Sequence, residues 1–201
     1  MPAAIRTMFV DWGAEPDERE LASAAEALMV DPAGALPRLI SLAERGSPTS
    51  MVHLGDAYRY GLGTNINLVE AEKWYRKAAN RDSVFGHYDL AALYLASDRI
   101  LEAKKEAEFA AAKGYPPALN MLGRMYLSGI GAERDFEKAR TYLERACSSG
   151  HIPGEAALAR LLMKRHWNLL TRLIGVLMMI HAQITLWGVL FSEGLSSERL
   201  R

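Results

Sequence analysis

The residues of this chain that could do chemistry are dispersed. No His-Glu-x-x-His or Cys-x-x-Cys motif is present, so neither a zinc-protease nor a dithiol arrangement is encoded. Cys147 is the one cysteine, which excludes an internal disulfide and a cysteine metal cluster and is typical of a reducing compartment. We therefore expect no catalytic, cofactor or metal site, and a protein that is not an enzyme. The five histidines are His53, His87, His151, His166 and His181.

Two glycine pairs, Gly61 with Gly63 and Gly129 with Gly131, have the Gly-x-Gly form of phosphate-binding turns. Phosphate-binding glycines of dinucleotide sites follow a strand, whereas these follow helical patterns. We therefore interpret them as hairpin loops. Cys147 stands at a position of an internal repeat where the other copies have alanine. We interpret it as a core residue and not a reactive thiol.

Bulk composition places the chain among ordinary folded proteins. It has 201 residues, half of them apolar, and 24 basic residues balance 24 acidic ones. The length permits a buried core without disulfides, and the balanced charge gives no reason to expect a nucleic-acid partner. The opening residues, MPAAIRTMFVDWG, lack the long apolar run of a secretory signal. We expect the folded part to lie in the cytoplasm.

An internal repeat organises the sequence. In its first series, a leucine is followed by Gly or Ala and usually, three residues later, by Tyr. In its second series, an alanine precedes a large pair and a small pair of residues. The spacing from each second-series alanine to the next first-series leucine never changes, whereas the spacing from leucine to alanine is four positions shorter in the middle of its three occurrences. The leucines are Leu54, Leu90, Leu122 and Leu158, and the alanines are Ala35, Ala71, Ala103 and Ala139.

The repeat predicts antiparallel helix hairpins. Apolar and small positions recur at i, i+3, i+4 and i+7, which is one face of a helix and not a strand. Small residues such as Gly55 and Gly123 let paired helices approach closely, and aromatic residues fill the space around them. Stacked hairpins predict an all-α, right-handed solenoid. Helix-starting residues are Asp31, Ser47, Asn67, Asp98 and Asp135, and helix-ending glycines are Gly46, Gly61, Gly114, Gly129 and Gly150.

Two runs carry a family resemblance: LGDAYRYGLGTNINLVEAEKWYRKAA from Leu54 and LGRMYLSGIGAERDFEKARTYLERAC from Leu122. Both resemble the Sel1-like repeat, a relative of the tetratricopeptide repeat. The unit from Leu90 to Ala111 lacks Gly-x-Gly and Trp-Tyr, and the unit from Leu158 keeps only the leucine and small residue, so these are degenerate copies. The resemblance implies a tetratricopeptide-like superhelix that acts as an adaptor or scaffold and binds a protein or peptide without catalysis.

The resemblance also implies a binding groove. In tetratricopeptide arrays the first helix of each pair lines the concave face, two residues before the motif leucine and two, five and six after it. A row of aromatic and guanidinium groups on that face would suit an extended acidic or aromatic peptide. A solvated face without a ligand is the alternative. The predicted groove residues are Asp56, Arg59, Tyr60, Tyr88, Asn120, Arg124, Arg160 and Lys164.

The C-terminal region breaks the pattern. Residues 173–191 contain no charged side chain, and this stretch is close to the roughly 20 residues that span a bilayer. Basic residues before this segment predict cytoplasmic repeats tethered to a membrane, although His181 and Gln183 disfavour insertion. Alternatively, Gly175, Met178, Met179 and Ala182 continue the repeat register as the second helix of a fifth pair.

These patterns predict four regions: an N-terminal segment with a capping helix (1–32), the repeat array (33–165), the hydrophobic helix (166–192) and a short tail (193–201). The favoured function is a membrane-tethered adaptor that holds a protein ligand in the groove. The alternative is a soluble cytoplasmic protein whose apolar C-terminal helix forms a homo-oligomeric interface.

Overall fold

The structure, a computed structural model, describes residues 15–150, 152–164 and 173–185. These residues form helices joined by short loops, with no strand among them, so the predicted all-α class is confirmed. The helices are α1 (Glu18–Val30), α2 (Pro32–Glu44), α3 (Pro48–Tyr60), α4 (Leu68–Ala79), α5 (Val84–Ala96), α6 (Ile100–Ala112), α7 (Pro116–Ser128), α8 (Phe136–Ser148), α9 (Ile152–Lys164) and α10 (173–185).

Side-chain caps begin most of the predicted helices. Ser47 accepts a hydrogen bond from the Ser50 N–H at 3.0 Å, and Asn67 accepts two bonds at 3.1 Å from the first turn of α4. Such caps satisfy backbone N–H groups that have no partner inside the helix. Asp31 and Asp135 cap α2 and α8 in the same way, so four of the five predicted caps are confirmed.

The fifth predicted cap, Asp98, is wrong. Asp98 has a left-handed backbone with φ of +59°, and the residue at the start of α6 is Arg99, which makes no side-chain cap bond. The connection between α5 and α6 is the one shortened by four residues, and the chain makes the tight turn through Asp98. A left-handed turn residue cannot also present the extended backbone that a capping residue needs.

Arg99 instead joins two neighbouring repeats. Its guanidinium lies 2.9 Å from Glu72 on α4 and 2.6 Å from Glu102 on α6. Glu72 also accepts bonds from Arg76 at 2.8 Å and from the Tyr94 hydroxyl at 3.1 Å. Partial burial raises the pKa of Glu72, but these donors outweigh it and hold the pKa of the carboxyl below its ordinary value.

Within each hairpin the volumes of facing residues are matched. A Cβ at Gly55 would stand 2.4 Å from the Tyr75 ring, and one at Gly123 would stand 2.7 Å from Leu143 Cγ. In the α5–α6 hairpin, the corresponding positions hold Ala91 and Ala107, both fully buried. Glycine therefore stands opposite a large side chain, and alanine stands where the opposing residue is small.

The described helices belong to two compact units. Unit 1 covers Met1–Lys113 and contains α1 to α6, and unit 2 covers Gly114–Arg201 and contains α7 to α10. The division falls inside the predicted array of 33–165. In unit 1, each helix packs against the next along the chain, and in unit 2, α8 packs against both α7 and α9.

Helix α10 follows the repeat register. Gly175 and Ala182 are buried, and Met178 packs against the unit 2 core. On the same helix, Nδ1 of His181 lies 3.2 Å from a carboxylate oxygen of Glu155. These contacts agree with the second helix of a fifth pair. Residues that form the core are Tyr126, Ala139, Leu143, Ala157, Leu158 and Leu161.

The predicted membrane span is not supported. Within residues 15–150, 152–164 and 173–185, no helix is both long enough and apolar enough to cross a bilayer. The described part of α10 has the length of one repeat helix, and its buried face is occupied by the protein's own core. Residues 186–191 of the predicted span lie outside the described residues.

Candidate protein-binding surface

The first-helix face of unit 1 is the surface of α3 and α5 that carries the predicted groove residues Asp56, Arg59, Tyr60 and Tyr88. The two helices pack against each other. Tyr60 is 59% exposed, whereas the other three residues are half-buried. An exposed aromatic ring beside charged groups is the kind of surface that protein partners use.

Tyr75 supports this face from below. Its ring is fully buried on α4, and its hydroxyl donates a 2.7 Å hydrogen bond to Asp56. Burial, together with the negative charges of Asp56 and Asp89, raises the pKa of the Tyr75 phenol. Tyr75 therefore remains a neutral donor and fixes the carboxylate of Asp56.

Neighbouring side chains offset the positive charge of Arg59. Its guanidinium lies 5.2 Å from the centre of the Tyr60 ring. Burial lowers the pKa of Arg59, but Tyr60, Tyr75 and Asp89 together raise it above the ordinary value. The negative charge of Asp89 thus acts on Arg59, and Asp56 adds a second carboxylate to the first-helix face of unit 1. This face does not offer an uncompensated positive charge to an acidic peptide.

The first-helix face of unit 2 differs in charge. It is the surface of α7 and α9 that carries Asn120, Arg124 and Arg160, and the two helices pack against each other. Arg124 and Arg160 are both exposed, and neither forms an ion pair with a carboxylate on any residue that the structure describes. Two guanidinium groups are therefore available to an acidic ligand. The side chain of Lys164, the fourth predicted residue here, lies outside the described part.

Asn120 adds a polar group to the same face of α7, one helical turn before Arg124. Its side chain is only 8% exposed, and its Oδ1 has no hydrogen-bond partner among the described residues. A buried carbonyl without a donor costs about 1–3 kcal/mol, so such groups are normally paired. Because this oxygen is itself buried, a ligand could reach it only if neighbouring side chains moved.

The predicted groove residues therefore separate into two sets with different electrostatics. Sequence reasoning placed Arg59 with the other cations and missed Asp89, because Asp89 stands one residue before the motif leucine and outside the positions carried over from tetratricopeptide arrays. Its proximity to Arg59 depends on the packing of α5 against α3. The signal in the sequence that could have revealed this charge balance was an acidic residue, Asp89, on the helix next to the one that carries Arg59.

Cys147 lies on α8 and therefore does not belong to a first-helix face. Cys147 packs against the unit 2 core, and burial, followed by Glu155 and Glu144, raises the pKa of its thiol to about 11. The thiol is therefore protonated at neutral pH. Within the described ranges, no three His, Cys, Asp or Glu side chains are grouped so as to hold a metal ion.

Comparison with known proteins agrees with the fold. The Sel1 repeat family matches residues 48–83 and 116–151. The protein NMB1327 of Neisseria meningitidis serogroup B, itself uncharacterised, is 28% identical over 55% of this chain and 31% of its own length. This chain thus spans about a third of that relative.

Two solved structures support the same fold at lower sequence identity. The protective antigen c5321 of uropathogenic Escherichia coli has an SLR fold and aligns with a TM-score of 0.68 at 23% identity, over 76% of this chain and 34% of its own. A Sel1 repeat protein of Oxalobacter formigenes aligns with a TM-score of 0.66 at 22% identity, over 73% and 61%. Sel1 repeat proteins generally mediate protein–protein interaction. With its all-α hairpins and two matched segments, the chain contains Sel1 repeats and has the α-solenoid fold.

Proposed function

We propose that this chain is a protein-binding scaffold that holds an acidic segment of a partner on the first-helix face of unit 2. The observation that supports this most directly is the pair of exposed guanidinium groups of Arg124 and Arg160, neither of which pairs with a carboxylate in the described part of the chain. Arginine forms bidentate, charge-assisted hydrogen bonds with carboxylates and is enriched where binding energy concentrates. The proposal is for binding without catalysis.

The first-helix face of unit 1 is less suited to an acidic ligand than that of unit 2. On the first-helix face of unit 1, Asp89 already acts on Arg59 and Asp56 is a second carboxylate, so an incoming carboxylate would meet like charges. Like charges brought together at an interface oppose binding.

A pair of capped peptides tests this proposal. One is the fluorescein-labelled acidic peptide Gly-Glu-Leu-Glu-Glu-Leu-Glu-Gly, and the other has every Glu replaced by Gln. Fluorescence anisotropy with the full chain should show saturable binding of the acidic peptide, weakened by salt because the contacts are ionic. The double variant Arg124→Glu with Arg160→Glu should weaken binding at least tenfold, which is about 1.4 kcal/mol.

The matched control makes the same charge change elsewhere in unit 2, at the exposed residues Arg134 and Arg145. We expect this control to change the affinity less than twofold. If the control and the groove variant weaken binding equally, or if the Gln peptide binds as well as the Glu peptide, the proposed surface is wrong.

Oligomerisation through α10 is a second candidate, favoured by one observation. The outer side of this helix exposes large apolar side chains, including Leu177 at 64% and Ile184 at 66%. Apolar patches of this kind mark interaction surfaces. Light scattering after gel filtration should then give a dimer mass that the variant Leu177→Lys reduces to a monomer. A monomeric wild-type chain would reject this candidate.

A further inference from the structure

A pocket lies in unit 1 between α2, α3 and α4, away from the groove residues named above. Its lining combines apolar groups, Ala43, Met51 and Trp74, with charged or polar groups on α2 and around the end of α4. Met51 and Ala43 are buried, whereas Trp74 is half-buried. The polar lining residues are Glu44, Lys77, Asn80 and Arg81.

The two cations that line the pocket each make a contact with the protein. The Lys77 ammonium lies 3.8 Å from the centre of the Trp74 ring, a cation–π contact. The Arg81 guanidinium donates a 3.1 Å hydrogen bond to the Gly46 carbonyl. Neither cation forms an ion pair with a carboxylate belonging to the described residues. Since Glu44 is the one acidic group among the described lining residues, those residues give the pocket a net positive charge around an indole.

The next repeat of unit 1 shows the same place filled. Met51, Trp74 and Lys77 correspond in the repeat register to His87, Glu106 and Phe109. There, the His87 ring stacks on Phe109 with centres 3.8 Å apart, and His87 Nδ1 lies 2.6 Å from Glu106. The repeat framework can thus close this space with its own side chains. Between α2, α3 and α4, by contrast, the corresponding space is a cavity lined by the indole of Trp74 and the cations of Lys77 and Arg81.

We propose that this Trp74 pocket is a second binding site, for a partner segment in which an aromatic side chain is followed directly by a carboxylate. The aromatic ring would enter against Trp74 and Met51, in the place that Phe109 occupies one repeat later. The adjacent carboxylate would meet Lys77 and Arg81. Aromatic anchors in pockets, flanked by ionic contacts at the rim, are the usual form of such sites.

Three capped tetrapeptides are the probes: Gly-Phe-Asp-Gly, Gly-Phe-Lys-Gly and Gly-Ala-Asp-Gly. Titration into the ¹⁵N-labelled full chain is followed at the indole N–H of Trp74, which the variant Trp74→Phe identifies. The Phe-Asp peptide should produce saturable shifts at Trp74, Lys77 and Arg81. Equal affinity of the Phe-Lys or the Ala-Asp peptide would show that charge or ring is not recognised and would overturn the proposal.

Two variants and one control locate the site. Lys77→Phe copies the side chain of the filled repeat and should weaken Phe-Asp binding at least tenfold, while thermal unfolding shows the chain still folded. Arg81→Gln removes the rim charge without filling the pocket and should weaken binding of the Phe-Asp peptide but not of the Phe-Lys peptide. The control Lys105→Phe makes the same substitution at an exposed site on α6 and should leave affinity unchanged. Unchanged binding in both pocket variants, or an equal loss in the control, would refute the assignment.

Discussion

Replacing Gly55 with alanine tests how the α3–α4 hairpin is packed. The new Cβ would lie 2.4 Å from Cε1 and 2.5 Å from Cδ1 of Tyr75, closer than carbon atoms approach in proteins. The ring has no free space to move into, because it is fully buried and its hydroxyl is bonded to Asp56. The two helices must therefore separate, or the Tyr75–Asp56 bond must break.

The magnitude follows from opposing terms. Alanine is favoured over glycine inside a helix by about 1 kcal/mol. Overpacking a close-packed core costs about 1–3 kcal/mol, and losing a hydrogen bond to a charged group costs about 1.5–3 kcal/mol. Either cost, less the gain from alanine, leads us to expect that Gly55→Ala lowers the free energy of unfolding by up to about 2 kcal/mol, measured by urea denaturation with circular dichroism.

A double-mutant cycle with Tyr75→Ala isolates the cause. Tyr75→Ala alone should cost about 3–5 kcal/mol, as for other buried aromatic truncations. In that background the alanine at position 55 meets no ring, and the pair copies Ala91 with Ala107 of the next hairpin. Gly55→Ala should then be neutral or stabilising by about 1 kcal/mol. If it costs the same in both backgrounds, within the about 0.5 kcal/mol to which independent substitutions add, the contact with Tyr75 does not explain the glycine.

Two further predictions concern ionisable groups. Because the folded-state pKa of Glu72 is lowered, its contribution to stability is present above the ordinary glutamate pKa and is lost as the pH falls through the folded value. Glu72→Gln should therefore cost about 1–2 kcal/mol at pH 7 and progressively less as the pH falls below the ordinary glutamate pKa in urea unfolding, and a pH-independent cost would contradict this. Since the pKa of Cys147 is about 11, iodoacetamide at pH 7.5 should alkylate the native thiol on the order of 100-fold more slowly than the urea-unfolded chain. Equal rates, measured by mass spectrometry, would show that the thiol is not protected.

The hairpins could be predicted because their information is local and repeated. The constant spacing from alanine to the next leucine, the placement of both on one helical face, and caps such as Ser47 and Asn67 all specify the same helices. The register also indicated that Gly175 and Ala182 face a core. The apolar composition of the same segment favoured a bilayer, and the structure supports the register.

What could not be predicted depends on contacts between repeats. Asp98 has a good residue type for a cap, but a loop shortened by four residues places it in a left-handed turn, and Arg99 becomes an inter-repeat bridge. The balance of charge on a first-helix face depends on the neighbouring helix. Asp89 on α5, for example, helps to raise the pKa of Arg59 on α3. Residue types within one repeat do not contain that information.

The packing of each unit 1 helix against its chain neighbours also shapes how this unit folds. Nearly all of its loops close over short stretches of chain, so little entropy is lost at each step, and such low-contact-order structures fold in microseconds to milliseconds. A hairpin flanked on both sides, such as α3–α4 with Tyr75 at its centre, gains two interfaces, whereas a terminal one gains a single interface. The α3–α4 hairpin should therefore be among the last parts of unit 1 to open.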